Sequence, residues 1–182
     1  MEEIAEATAT VMTLDRDHFE EPKISREEKG GEKTMPNAGE KSRQKVALVC
    51  TNFTMQSAFG LLILALNSAR LGFETLIYFT FEGLHMIRPG HLEALRYYPT
   101  GADTELAEQT TEELREVMDR RNIHYPEDML EMAHLEGVRF LACKTSADLF
   151  ELEQDDFLEG VEIMLAEEFM KEAVGSDLHL VF

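Results

Sequence analysis

From Lys45 onward, short continuous apolar runs alternate with longer stretches whose apolar residues recur every third or fourth position. A continuous apolar run bounded by turn residues marks a strand covered on both faces, and the three-to-four spacing marks one face of a helix. Val46 to Cys50 reads as the first strand, followed by a polar turn, Thr51 to Thr54. Met55 to Leu71 reads as a helix with Phe59, Leu62, Ile63, Leu66 and Ala69 on its apolar face, closed by Gly72. Thr75 to Phe81 is β-branched and aromatic, the composition of a second strand. Strand, helix and strand in so short a span make a right-handed βαβ unit with parallel strands.

Gly83 to Gly101 reads as a long connection, with a helical turn within His91 to Tyr98. Thr104 to Arg121 is a charged, largely exposed helix, and Pro126 to Leu135 a further helix with Pro126 at its start and Gly137 at its end. Val138 to Ala142 is a buried strand ending in Cys143, followed by a short helix from Ser146 to about Leu152. Val161 to Met164, Ala166 to Ala173 and Leu178 to Phe182 complete the pattern as strand, helix and strand. The expected fold class is α/β: a three-layer α/β/α domain over residues 45–182 with a five-stranded, mainly parallel sheet of flavodoxin-like architecture.

Residues 1–44 break this pattern. Apolar positions are thin, and charges, glycines and Pro36 interrupt any period, so they read as an acidic extension of disordered composition, with at most a short helix over Met1 to Leu14. Of the 36 acidic and 17 basic residues, 11 and 7 lie there, leaving 25 and 10, a net charge of −15, for the rest. The acidity therefore belongs to the folded part. It argues against nucleic acid as a partner, because phosphates would be repelled. No apolar run approaches the ~20 residues of a membrane span, and the acidic start lacks the regions of a signal peptide, so a cytoplasmic protein is expected.

Two cysteines, Cys50 and Cys143, are too few for a disulfide framework, and no CxxC pair suggests zinc. No HExxH, GxGxxG or GxxxxGK[ST] motif is present, so neither a metal nor a nucleotide cofactor is expected. Both cysteines end strands, where parallel sheets bind ligands. Cys143 is followed by Lys144, Thr145 and Ser146, with Asp148 at capping-box spacing from Thr145. A thiol there meets the positive end of a helix dipole, which favours the thiolate, and Lys144 is placed to stabilise the thiolate or an anionic donor. The alternative is a cysteine acting as a small core hydrophobe. Thr145 and Ser146 read as caps more readily than as ligand donors. Cys50, with no adjacent basic residue, is the weaker candidate as a second thiol.

Three segments, KVALVCTNFT (Lys45 to Thr54), YFTFEGL (Tyr78 to Leu84) and FLACKTSADLFELEQDDFLEGVE (Phe140 to Glu162), resemble the DsrE/DsrF/DsrH-like family of sulfur-relay proteins, in particular its larger, peroxiredoxin-labelled DsrE-like subgroup. The resemblance implies a five-stranded parallel α/β/α domain that self-associates. It implies sulfane sulfur held on Cys143 as a persulfide or thiosulfonate, a small sulfane-sulfur donor, and transfer to a TusA-type carrier or another thiol protein. It places Thr80, Phe81 and Gly83 in the same crevice. Thr51 and Asn52, in the polar loop after the first strand, join Thr145 and Ser146 as binding candidates. The first loop lacks the subgroup's Lys-Gly and Asp, and His85 to Pro126 is acidic and helical instead of rich in Met and Pro, so the donor pocket is expected to differ. The family's sheet places the second strand between the first and third. The cysteines would then be about 10 Å apart, too far for a disulfide.

Three competing readings remain: an oligomeric binding or scaffold protein on the same fold, a flavin or nucleotide binder using Thr51, Asn52, Thr54 and Ser57, and a thiol peroxidase. The first loop has no glycine to let backbone approach a phosphate, and neither cysteine carries a Pro-x-x-x-Thr-x-x-Cys motif.

Overall fold

The computed structural model describes residues 44–101 and 103–182. Apart from Gln44, the expected acidic extension lies outside the described residues, as does the short helix expected at its start.

Five strands, β1 (Lys45–Cys50), β2 (Glu74–Phe79), β3 (Arg139–Cys143), β4 (Glu162–Met164) and β5 (Leu178–Val181), form one sheet in the order β4-β3-β2-β1-β5. Every neighbouring pair is parallel. The helices are α1 (Met55–Arg70), α2 (Thr104–Arg121), α3 (Pro126–Leu135), α4 (Lys144–Leu149) and α5 (Ala166–Ala173). The three-layer α/β/α expectation holds. No helix among the described residues is long and apolar enough to cross a membrane.

Alternation along the strands sorts their side chains onto two faces. Val46, Leu48 and Cys50 of β1, Ile77 and Phe79 of β2, and Phe140 and Ala142 of β3 point into the larger core, where α1 and α3 pack. Ala47, Leu76, Tyr78, Leu141 and Cys143 point the other way, against Phe169 and Ala173 of α5. The two cysteines therefore occupy opposite faces of the sheet, two strands apart, and both are free.

The expected helices over 104–121, 126–135 and 166–173 have those bounds. Asp103 caps α2 by accepting from the Leu106 N–H at 2.9 Å, and Pro126 starts α3 without losing a bond, because a first-turn N–H has no intrahelical partner. Several other boundaries shift by a residue or more, and two of the shifts bear on the cysteines. β2 ends at Phe79, not Phe81: Phe81 has φ 49° and turns the chain into a 3-10 helix over Phe81–Ile87. The ladder cannot continue, because Phe81 donates its N–H to Ser146 Oγ at 3.1 Å. The helix after Cys143 begins at Lys144, with Cys143 itself at the N-cap position and no side-chain cap. The expected capping box is not formed. Asp148 instead pairs with Lys144 one turn earlier.

Candidate functional site

β3 carries Cys143 to the C-terminal edge of the sheet, and α4 starts with the next residue. Phe79 lies level with Ala142, so Thr80, one residue further, comes level with Cys143 on the same face. Tyr78, two residues before Thr80, shares that face. Ser146 lies in the first turn of α4 and is 3% exposed. Its hydroxyl bonds that of Thr80 at 2.9 Å and accepts the Phe81 N–H. With a lone pair of Ser146 Oγ so occupied, its proton is directed toward the remaining acceptors, Thr80 Oγ1 and the Cys143 sulfur.

Cys143 is 6% exposed. Burial pushes its pKa up, since a thiolate loses solvation, but the polar groups gathered near it, the Ser146, Tyr78 and Thr80 hydroxyls and the Ser146 backbone N–H, outweigh burial, and the net shift is down. All four are neutral. Lys144, the cation expected to help, is held by the Asp148 carboxylate and is not among the groups that depress the thiol. Tyr78 is shifted in the opposite sense, raised by burial and by its contact with the Cys143 sulfur, so its phenol keeps its proton.

Cys50 meets different surroundings. It is fully buried, and its S–H faces the Asn52 carbonyl at 3.4 Å and Met86 Sδ at 4.0 Å. Burial raises its pKa to about 12, only partly offset by the hydrogen bond with Asn52. The expected binding residues divide between the two cysteines. Thr80, Phe81 and Ser146 gather around Cys143, while Thr145 is exposed on the first turn of α4. Gly83 packs on Cys50: a Cβ there would stand 2.3 Å from the Cys50 carbonyl oxygen. Thr51 donates both its N–H and its hydroxyl to the Phe182 carbonyl, at 2.7 and 2.8 Å, and so ties β1 to the end of the chain. Asn52 is exposed beside it. Thr54 is occupied as the cap of α1, accepting the Ser57 N–H at 3.3 Å, so two hydroxyls of the phosphate-binding alternative serve the helix.

Tyr78 was missed in the sequence because, within an apolar run, an aromatic reads as core. Only its placement two residues before Thr80, on one strand face, marks it. A cavity of about 460 Å³ lies elsewhere, lined by residues that include Arg88, Leu92, Glu127, Leu130, His134 and Phe140. None of the expected site residues lines it. Among the described residues, no group of three or more His, Cys, Asp or Glu side chains is arranged to hold a metal ion.

The sulfur carrier protein DsrE2 of Allochromatium vinosum is 26% identical over 155 residues, spanning 76% of this chain and 98% of that protein. The uncharacterized protein YrkE of Bacillus subtilis is 23% identical over 153 residues, spanning 75% of this chain and 96% of that protein. The crystal structure of the ychN protein from E. coli matches the fold with a TM-score of 0.52 at 17% identity, covering 77% of this chain and 99% of that one. The family model for DsrE/DsrF/DrsH-like proteins matches residues 42–181, nearly the whole described domain, and this chain belongs to that family.

Proposed function

We propose that this chain is a sulfane-sulfur carrier that loads its cargo on Cys143 and passes it to a thiol protein. The observation that carries the reading is the thiol at the end of β3, with Ser146, Thr80 and Tyr78 gathered on its face of the sheet and its pKa shifted down. Kinship with a protein named as a sulfur carrier supports it.

The chemistry balances without an external oxidant. The Cys143 thiolate attacks the sulfane sulfur of a donor. The new Sγ–S bond forms as the bond from that sulfur to its former partner breaks, and the electron pair leaves with that partner. From a polysulfide the product is a persulfide, and from tetrathionate it is a thiosulfonate with thiosulfate released. A partner thiolate, such as that of a TusA-type carrier, then attacks the sulfane sulfur bonded to Sγ, and Cys143 departs as the thiolate that its neighbours stabilise. Lys144 lies on the exposed rim, where it can attract an anionic donor if Asp148 releases it. Assembly into a homo-oligomer would present several such thiols at once. The role is that of a carrier more than a turnover enzyme, acting in the cytoplasm, where thiols remain reduced.

The test is intact mass of the reduced full chain after brief exposure to polysulfide and, separately, to tetrathionate. A dithiothreitol-reversible gain of about 32 or 112 mass units, for one sulfur or one thiosulfonate, is expected in the wild type and in Cys50→Ser, and not in Cys143→Ser. An unmodified wild type would overturn the reading and leave the fold as a binding or scaffold module.

A further inference from the structure

The Tyr78 side chain is 5% exposed, and its hydroxyl has no hydrogen-bond partner with good geometry among the described residues. A buried hydroxyl left in this state is costly, and such groups in a folded protein call for an explanation. The ring is held flat on Phe169 of α5, with centroids 4.2 Å apart and planes 8° from parallel. That stack fixes the direction of the hydroxyl. Tyr78 and Cys143 belong to the same small cluster on the α5 face, and the pairing of Tyr78 with Leu141, two residues before Cys143, sets the ring beside the sulfur on neighbouring strands.

We infer that Tyr78 is a positioning residue for Cys143: its buried hydroxyl, aimed by the Phe169 stack, donates to the sulfur both while the sulfur waits as a thiolate and as it leaves a loaded sulfur atom behind. The second half rests on the carrier reading; the first does not. On loading, the hydrogen bond from Tyr78 makes the thiolate cheaper to form without a nearby cation. On unloading, a partner thiolate attacks the sulfane sulfur bonded to Sγ, the Sγ–S bond breaks with its electron pair on Sγ, and the phenol donates to the emerging charge. The proton stays on the phenol oxygen throughout. A neutral donor also leaves no charge stranded when the sulfur is capped, whereas a buried cation would lose its counter-ion at each cycle.

The basic groups on the elements around the cluster are engaged in ion pairs. Arg139, at the other end of β3, is bound to Glu162 of β4 and Glu172 of α5. Lys45 pairs with Glu74 at the start of β2, Lys171 pairs with Glu167 on α5, and Lys144 is held by Asp148 on α4. His179 of β5 stands edge-on to Phe169, with centroids 6.2 Å apart.

The experiment compares wild type and Tyr78→Phe, as full chains, by the rate of iodoacetamide alkylation of Cys143 between pH 5 and 10. The variant keeps the ring and its stack and removes one oxygen. Its inflection is expected to move up, with the rate at pH 6.5 falling about three- to tenfold and the two profiles converging at high pH. Superimposable profiles would overturn the inference. A second measurement does not depend on the variant folding. With tyrosines labelled at the ring carbon bearing the hydroxyl, one of the four resonances should follow the Cys143 titration in the wild type. It should lose that dependence in Cys143→Ala; if none of the four follows the titration, the inference fails. Polysulfide loading, measured separately, keeps the two readings apart. A wild type that takes up no sulfur, beside a shifted Tyr78→Phe profile, would sink the carrier role and leave Tyr78 standing. Normal loading with coincident profiles would do the reverse.

Discussion

Cys50 and Cys143 are the same side chain at the same kind of place, the last residue of a parallel strand, yet the fold treats them in opposite ways. Cys50 turns into the larger core, is closed over by Gly83, and is held as a thiol with its pKa raised to about 12. Cys143 turns to the thinner face, meets three hydroxyls and a backbone N–H, and is shifted toward the thiolate although it too is nearly buried. Burial alone therefore does not decide reactivity. What decides it is whether the burying groups can donate hydrogen bonds to the charged form.

The sharpest way to break this contrast is to label both thiols in the native protein at pH 7. A pKa near 12 leaves very little thiolate, and even after crediting the greater intrinsic nucleophilicity of a more basic thiol, Cys143 should react at least about a hundredfold faster. Peptide mapping after alkylation with limiting iodoacetamide reads the ratio; equal labelling would end the comparison. Next in size is Gly83→Ala. Its Cβ would press against the Cys50 carbonyl oxygen, a backbone atom that cannot swing aside, so a loss of about 2–3 kcal/mol is expected from urea unfolding. Labelling of Cys50 should rise as its cover loosens.

The two cysteines should also bend the stability curve in opposite directions. For Cys143, the folded pKa lies below the unfolded one. Its contribution is present in full above the unfolded pKa, near ~8.5, and is lost as pH falls through the folded value. For Cys50, the folded pKa lies above the unfolded one. Its contribution is present below about 8.5 and is lost as pH rises toward 12. Unfolding free energies of wild type minus Cys143→Ala should therefore grow with pH below about 8.5, and those of wild type minus Cys50→Ala should shrink above it, each by at most about 1.4 kcal/mol per pH unit. Slopes of the same sign would refute the assignment. The smallest effect is expected for Lys144→Gln. Its exposed pair with Asp148 is worth only about 0.5 kcal/mol or less, and the Cys143 alkylation profile should move little, because the thiolate is held by neutral donors. A large upward shift of that profile would restore Lys144 as the stabilising cation.

Much of this architecture is legible in the order of residues. The apolar runs at 46–50 and 138–142 and the three-to-four spacing of α1 announce strands and helices, because side-chain periodicity is a property of the local backbone. Pro126 marks a helix start for the same reason, because a start signal acts within one turn. The family was legible too, since Cys143 and the residues that follow form one contiguous motif. Ser146 was only half legible. Its hydroxyl serves Thr80, just past the end of β2 and 66 residues earlier, instead of capping its own helix.

What the sequence determined by itself is therefore the set of elements, their order, and the placing of each cysteine at a strand end, because these follow from interactions among near neighbours. The tertiary structure alone decided which residues surround each sulfur. Setting Phe79 level with Ala142 brings Thr80 and Tyr78 to Cys143, and the turn at Phe81 brings Gly83 onto Cys50. Those contacts join positions far apart in the chain, and a shift of register by one residue would turn Tyr78 and Thr80 to the opposite face of the sheet. The reactivity of a thiol depends on such neighbours, so it emerges only once the strands are paired.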